Sequence, residues 1–313
     1  MNATNIPWAD FTWNPTTGCT FGCEWCYARG VAARFSCTSL GGNEGERLRV
    51  ARLYDKAFET HSRRPFPAEF YPTLYARRLD EPLRRKKPAV IFLGSMGDVF
   101  DPAIPDEFRD RIFATVAAAH WHTFVVLTKR AGAMRDYFTG YIAEFGVLQR
   151  VMSVMHGPMP ANLVIGVSVT NQADADERIP LLLDTPAAKR MVSVEPMLGP
   201  VDLDGLWGYA GSADSEQLAH WPIHFVAVGG KTPGKPLHEQ GCPVPYDGIP
   251  GTCQPLRNDD CDLCPDAWDS NRPAEWLRSL RDQCAAAGVP FHYKHGGTNP
   301  ALDGVVYNAA VPR

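Results

Sequence analysis

Short, continuous apolar runs alternate along this chain with stretches of helical period. Pro88-Ala89-Val90-Ile91-Phe92-Leu93, Thr123 to Leu127, Leu163 to Val169, Arg190 to Val194, His224 to Val228 and Val289 to Lys294 read as buried strands. Between them, Asp106 to Ala119 places Phe108, Ile112, Phe113 and Val116 on one helical face. Helices are also expected from about Ala173 to Leu183 and from about Pro273 to Ala287. With a first strand near Phe11-Thr12-Trp13, the chain contains six or seven strand–helix units. Strands that are apolar throughout, alternating with helices, imply a parallel sheet covered by helices. The strands end in polar or glycine-bearing tips: Gly94-Ser95-Met96-Gly97-Asp98, Thr128-Lys129-Arg130, Ser168, Glu195-Pro196 and Gly229-Gly230-Lys231. One such tip is an ordinary turn. Five in succession favour a cavity at the C-terminal ends of the strands, as in a full or partial (β/α) barrel.

Two segments interrupt the rhythm. Residues 37–87 form a long, polar, basic first crossover with room for an extra helix pair. Residues 232–271 are rich in Pro, Gly, Asp and Cys and too poor in apolar positions to hold a shape unaided. The expected organisation is one domain over residues 1–313 carrying these two elaborations. Its 313 residues, 45% of them hydrophobic, suffice for a sizeable core. A net charge of −4 excludes a whole-chain basic footprint for nucleic acid, though not a local basic groove. No apolar run is long enough to span a membrane, and Met1-Asn2-Ala3-Thr4-Asn5 lacks the basic and apolar regions of a secretory signal. A cytoplasmic protein without a membrane partner is expected.

Nine cysteines change the picture. An odd number in a chain of this kind disfavours a disulfide framework, and two tight clusters favour metal. Isolated Cys37 and Cys284 suit a role as small buried hydrophobes. Cys19, Cys23 and Cys26 form C-x3-C-x2-C directly after the first candidate strand. Three thiolates can hold three irons of a [4Fe-4S] cubane and leave the fourth open to an exogenous ligand. A zinc site completed by a distant ligand is the alternative for the same residues.

This spacing, with the aromatic Tyr27 after the third cysteine, resembles the signature loop of the radical S-adenosylmethionine (SAM) superfamily. Further stretches resemble a phage-associated domain-of-unknown-function family placed near radical SAM proteins. They are Trp13 to Cys19, Gly94 to Phe100, His122 to Arg130, Gly166 to Gln172, Ser193 to Pro200 and Trp276 to Lys294. The chain departs from that family at Lys231, where the family carries an acidic residue after the paired glycines, and in its four-cysteine insertion. The resemblance implies a barrel of the radical SAM type. It implies a [4Fe-4S] cluster on Cys19, Cys23 and Cys26 that cleaves SAM, and a 5′-deoxyadenosyl radical that abstracts a substrate hydrogen. It also implies a reductant such as flavodoxin or ferredoxin.

The implied SAM-binding positions lie at the strand tips. The backbone of Gly94, Ser95, Met96 and Gly97 would approach the amino group, with Asp98 accepting from an ammonium or a ribose hydroxyl. Helix N-capping by Asp98 or Asp101 is the competing reading. Lys129, with Arg130, would neutralise a carboxylate or a phosphate. Ser168 and Asn171 would reach the ribose, and Glu195 would point inward as a carboxylate. His292, Lys294 and His295 receive no role. Cys242, Cys253, Cys261 and Cys264 can close around Zn²⁺ or an auxiliary iron–sulfur cluster. The lack of any other core in that segment favours zinc. Phages often modify DNA bases, and a related superfamily branch repairs DNA lesions, so a nucleobase, nucleotide or nucleic acid substrate is expected by analogy. A zinc-stabilised binding module without catalysis and an iron–sulfur redox sensor are the other function classes.

Overall fold

The computed structural model describes residues 1–35, 58–59, 66, 70–144, 159–207, 223–229, 272–294, 301–303 and 305–311. Cys242, Cys253, Cys261 and Cys264, the rest of the 232–271 insertion, Lys231, His295 and Cys37 lie outside the described residues.

At one edge of the main sheet, strand β1 (Asn2–Ala3) runs antiparallel to β2 (Phe11–Trp13). From β2 onward the strands are parallel and follow chain order: β6 (Val90–Leu93), β7 (Thr123–Thr128), β8 (Leu163–Val169), β9 (Lys189–Val194), β10 (Phe225–Gly229) and β11 (Phe291–Lys294). The eight strands thus lie in the order β1-β2-β6-β7-β8-β9-β10-β11. A second sheet is made of β3 (Thr16–Thr17), β4 (Phe58–Glu59) and β5 (Thr73–Leu74), with β5 in the middle. A single-turn helix, α2 (Glu81–Arg84), follows a 3₁₀ turn over Ala76–Arg78. In the first crossover, where room for an extra helix pair was expected, the described residues contain β4, β5, the 3₁₀ turn and α2. A short hairpin, β12 (Ala301–Leu302) with β13 (Val305–Val306), ends the described chain.

Strand order and side-chain alternation together dictate the curl. Parallel strands in sequential order, joined by crossovers of one hand, put every helix on the same face. Along β6, Ile91 and Leu93 face the helices while Val90 and Phe92 face away. Along β7, Phe124 and Val126 face the helices while Val125 and Leu127 face away. The helix-side core takes Ile112 and Phe113 from α3 (Asp106–Ala118) and Met134 and Phe138 from α4 (Ala131–Glu144). It also takes Ile179 and Leu182 from α5 (Gln172–Asp184), and Leu280 from α6 (Arg272–Ala286). Among the described residues, no helix residue enters the opposite cluster of Val90, Val125, Val164, Met191 and Phe225, which is covered by Trp8 and Val311. A sheet loaded with helices on one face curls around the other, and the result is a partial (β/α) barrel.

Local chemistry sets the ends of these helices. Asp106 and Glu107 occupy the first turn of α3, where carboxylates suit the helix dipole. The helix begins behind Pro105, so neither Asp98 nor Asp101 caps it. Asn171 caps α5, its Oδ1 accepting from the Asp174 N–H at 3.0 Å. The buried Arg190 on β9 donates to the carbonyls of Leu182 at 3.0 Å and Ala187 at 3.4 Å, satisfying groups left open at the end of α5. No helix among the described residues is long and apolar enough to cross a membrane.

Candidate functional site

Along the concave face the inward side chains change character from bottom to top. The lower positions are Val90, Val125, Val164, Met191 and Phe225. Towards the C-terminal ends they become Thr12, Asn14, Ser168, Ser193 and Glu195, with Lys294 on β11. These positions line a cavity of about 930 Å³ that reaches from Asn2 on β1 to Lys294 on β11.

Cys19, Cys23 and Cys26 all line this cavity, as free and partly buried thiols. They lie on the loop between β3 and α1 (Tyr27–Phe35). Gly18 enters the loop with φ +85°, a conformation that favours glycine. A Cβ there would sit 2.3 Å from the Tyr71 carbonyl oxygen. The Gly18 N–H donates to the Met96 carbonyl at 2.9 Å, and the Cys19 N–H donates to the Phe70 carbonyl at 3.2 Å. Gly97 bridges to Gly18, and a Cβ on Gly97 would lie 2.6 Å from the Gly18 oxygen. Asn14 ties the same tip from β2: its Oδ1 accepts from the Met96 N–H at 2.9 Å and its Nδ2 donates to Ser95 Oγ at 3.0 Å. The Tyr27 hydroxyl donates to the Ser95 carbonyl. The glycine-bearing tip of β6 and the cysteine loop are therefore one hydrogen-bonded unit.

The two aspartates of that tip hold the loops in place. Asp98 is buried; its Oδ1 accepts from the Phe100 N–H at 2.9 Å, and Thr128 Oγ1 donates to its carboxylate at 2.8 Å. Burial pushes its carboxyl above the usual range. Asp101 is fully buried and accepts from Thr20 of the cysteine loop, through the N–H at 2.7 Å and the hydroxyl at 2.9 Å. Arg130, at the tip of β7, donates to Thr20 Oγ1 at 2.7 Å and pairs with Asp101 at 3.1 Å. Its other amino group lies 3.9 Å from Cys19 Sγ.

Lys129 lines the cavity with its ammonium 5.9 Å above the Trp25 ring, and burial holds its pKa down. Ser168 lines the cavity, and its carbonyl accepts from Arg178 at 2.8 Å. Arg178 pairs with Asp174 at 2.5 Å. Glu195 reaches the cavity and pairs with Lys294 across the tips of β9 and β11 at 2.8 Å. Asn171 is not brought to the cavity, since its amide oxygen caps α5. Sequence reasoning missed Asn14, Arg178 and Lys294 and offered Asp101 only as a cap. Asn14 and Lys294 sit at or just beyond a strand's C-terminal end, which was the available signal for them.

The residues present suit an iron–sulfur cluster in donor chemistry and access. Three thiols without disulfides share one cavity wall. Burial, with the Asp98 charge, pushes the Cys19 thiol up to about 12, so a thiolate there needs a cation beside it. Among the described residues, no group of three or more His, Cys, Asp or Glu side chains is drawn close enough to hold a metal ion ready-made.

No curated protein matches the chain. Among solved structures it is similar to spore photoproduct lyase complexed with dinucleoside spore photoproduct. That match has 12% identity and a TM-score of 0.47, and covers 94% of this chain and 78% of that one. A family match extends over residues 3–240, well beyond half of the 313 residues, and by it the chain belongs to the family described as Protein of unknown function (DUF5131).

Proposed function

We propose that this protein is a radical SAM enzyme acting on a nucleobase, free or within a nucleic acid. The observation that carries the reading is the convergence of three free thiols, spaced C-x3-C-x2-C, with the β6 glycine tip at the mouth of one partial-barrel cavity. Cys19, Cys23 and Cys26 would hold a [4Fe-4S] cluster. When bound, such a cluster supplies an electron and one open iron position to SAM. Holding it requires the loop to close from its present spread. Gly22, with φ +82° and, among the described residues, no atom within 4 Å of the place a Cβ would take, is the point at which the backbone can turn.

The chain's own residues then bind and orient. The β6 tip comes close to the thiols because Gly97 carries no side chain, and the Ser95 and Met96 carbonyls, each already taking one donor, keep a second lone pair for a ligand ammonium. The partly buried ammonium of Lys129 neutralises a carboxylate, an attraction that its desolvation strengthens. Ser168 and the Glu195–Lys294 pair supply hydrogen-bonding groups on the far wall. Asn171 is left out of this set because it serves α5. The apolar floor excludes water from reactive species.

A nucleobase is favoured by the rim. Phe21, Tyr27 and Phe35 are large, exposed and cavity-lining. The guanidinium groups of Arg130 and Arg178 lie 5.2 Å and 5.6 Å from the Phe21 ring. Exposed aromatic faces suit stacked bases, and a cation against such a ring strengthens it as a stacking platform. The electron would come from a flavodoxin or ferredoxin.

The test is anaerobic reconstitution with iron and sulfide, followed by reduction, addition of SAM and assay of 5′-deoxyadenosine. The comparison is a variant with all three cysteines replaced by alanine. Production by the wild type alone supports the enzyme. Uptake of zinc but not iron would leave a binding module, and iron without SAM cleavage would leave a sensor. Binding of single-stranded oligonucleotides should weaken as salt rises; binding that ignores salt would remove the nucleic acid substrate.

A further inference from the structure

Sequence reading placed Arg130 beside Lys129 as a cation for a carboxylate or a phosphate. Its contacts give it different work. Arg130 touches three consecutive residues of the cysteine loop: Cys19 through sulfur at 3.9 Å, Thr20 through its hydroxyl at 2.7 Å, and Phe21 through its ring at 5.2 Å. It is oriented by Asp101, whose Oδ2 takes three donors at once: the Thr20 N–H, the Thr20 hydroxyl and Arg130. The other oxygen of Asp101 accepts from the Ala103 N–H at 3.0 Å.

A fully buried carboxylate is expensive unless it is neutralised and hydrogen-bonded. Among the described residues, every hydrogen bond to this carboxylate except that from Ala103 comes from the cysteine loop or from the arginine that touches it. The clamp joins three separate elements: the loop itself, the segment after β6 and the tip of β7. It grips the loop between its first and second cysteines, beside Cys19.

Resting on the cluster reading above, we propose that Asp101 and Arg130 are positioning residues for the iron–sulfur loop, and that the Arg130 guanidinium raises the reduction potential of the cluster held there. The physical argument has two parts. The clamp fixes Thr20, and through it the direction of Cys19, which lowers the ordering needed when the loop closes on a cluster. Separately, a cation against a ligating sulfur stabilises the more negative, reduced form, and hydrogen bonds to cluster sulfur are a known lever on potential. Neither Asp101 nor Arg130 donates to iron.

The experiment uses the full chain, reconstituted without oxygen, with two readouts that need no turnover. One is the rate of iron loss to a chelator; the other is the midpoint potential from an EPR-monitored redox titration without SAM. Arg130→Met should lose iron about 10- to 100-fold more readily, the range for residues supporting metal ligands, and its potential should move negative. Arg130→Lys keeps the charge but not the fork, so its potential should stay near wild type while iron retention falls. Thr20→Val, a near-isosteric change that leaves Arg130 in place, should weaken retention with little effect on potential. Arg135→Met, a cation removed from the exposed side of α4, should change neither readout. If Arg130→Met fails to fold, the lysine and valine variants carry the test. Wild-type potential and retention in all three Arg130 and Thr20 variants would overturn the inference and leave the cluster reading standing. Failure of the wild type to take up iron would overturn both.

Discussion

Two glycines of the cysteine loop share a backbone conformation and differ in surroundings, and this makes a paired prediction. Gly18 has φ +85° and Gly22 has φ +82°. Alanine at either position meets the left-handed region, at a cost of about 1–2 kcal/mol. At Gly22 that is the whole penalty, because among the described residues nothing lies within 4 Å of the added Cβ. At Gly18 the Cβ would lie 2.3 Å from the Tyr71 oxygen, 2.4 Å from its carbonyl carbon and 2.6 Å from the Phe70 oxygen. All three are backbone atoms, so no rotamer change relieves the contact, and ordinary packing distances require a retreat of about 1 Å. Overpacking of this kind costs about 1–3 kcal/mol. The retreat also breaks the Cys19 N–H bond to Phe70, worth about 1 kcal/mol. Gly18→Ala should therefore destabilise by roughly 3–6 kcal/mol, a large share of the ~5–15 kcal/mol that holds a typical domain. At about 2–4 °C per kcal/mol, Gly18→Ala should melt on the order of 10 °C below wild type and Gly22→Ala only a few degrees below. Differential scanning calorimetry reads the difference directly. Equal melting temperatures for the two variants would refute the packing of the cysteine loop against residues 70–71.

Asn171→Ala should lower stability by about 1 kcal/mol, the usual effect of a lost N-cap, read as a shift in urea midpoint; no shift would free Asn171 for another task. His122 is buried, with Nε2 3.2 Å from the Pro82 oxygen and 3.1 Å from the Arg85 oxygen, and its Nδ1 has no hydrogen-bond partner among the described residues. Burial holds its pKa below the ordinary value near 6.5. The folded state thus binds fewer protons than the unfolded state, so its contribution is complete above that value and declines as pH falls towards the folded pKa. Replacing it with His122→Gln should flatten the acid limb of stability against pH, and an unchanged limb would remove His122 as its source. The Glu195–Lys294 pair is mostly shielded from solvent, so Glu195→Gln and Lys294→Met should show a coupling of about 0.5–3 kcal/mol in a double-mutant cycle. Additive effects would mean that the two tips do not meet.

The strands and the helices with strong apolar stripes were legible because burial repeats along them: 106–118, 172–184 and 272–286 fall within a residue or two of expectation. Helix α4 was not anticipated. Its Gly132, Gly140 and Thr139 weaken local helix preference, and it is held by packing Met134 and Phe138 into the helix-side core. The two-residue strands β3 and β5 are too short for any period to register. Individual side-chain commitments were also hidden. That Asp101 serves Thr20, that Lys294 meets Glu195 and that Asn14 ties the β6 tip are facts of contacts between residues about 80 or more positions apart, which hydrophobic pattern does not encode.

The site itself left a trace in a departure from that pattern. On the helix-facing side, β8 and β9 are apolar to the end, through Val167, Val169, Val192 and Val194. On the other side the same strands pass from Val164 and Met191 to Ser168, Ser193 and Glu195. A strand buried on both faces has no packing reason to turn polar on one face alone, least of all at a carboxylate, because burying an unpaired polar group costs free energy. The substitution is tolerable only where the barrel stops being filled by its own side chains and opens into a space that something else occupies. Because the strands are parallel and in sequence, all these openings fall at one end, and the loop that follows the first of them, with its three thiols, faces the same space. The polar tips and the cysteine spacing are thus two independent features that agree on one location, and their agreement is why the chemistry of the thiols, rather than any single carboxylate or lysine, directs the functional reading.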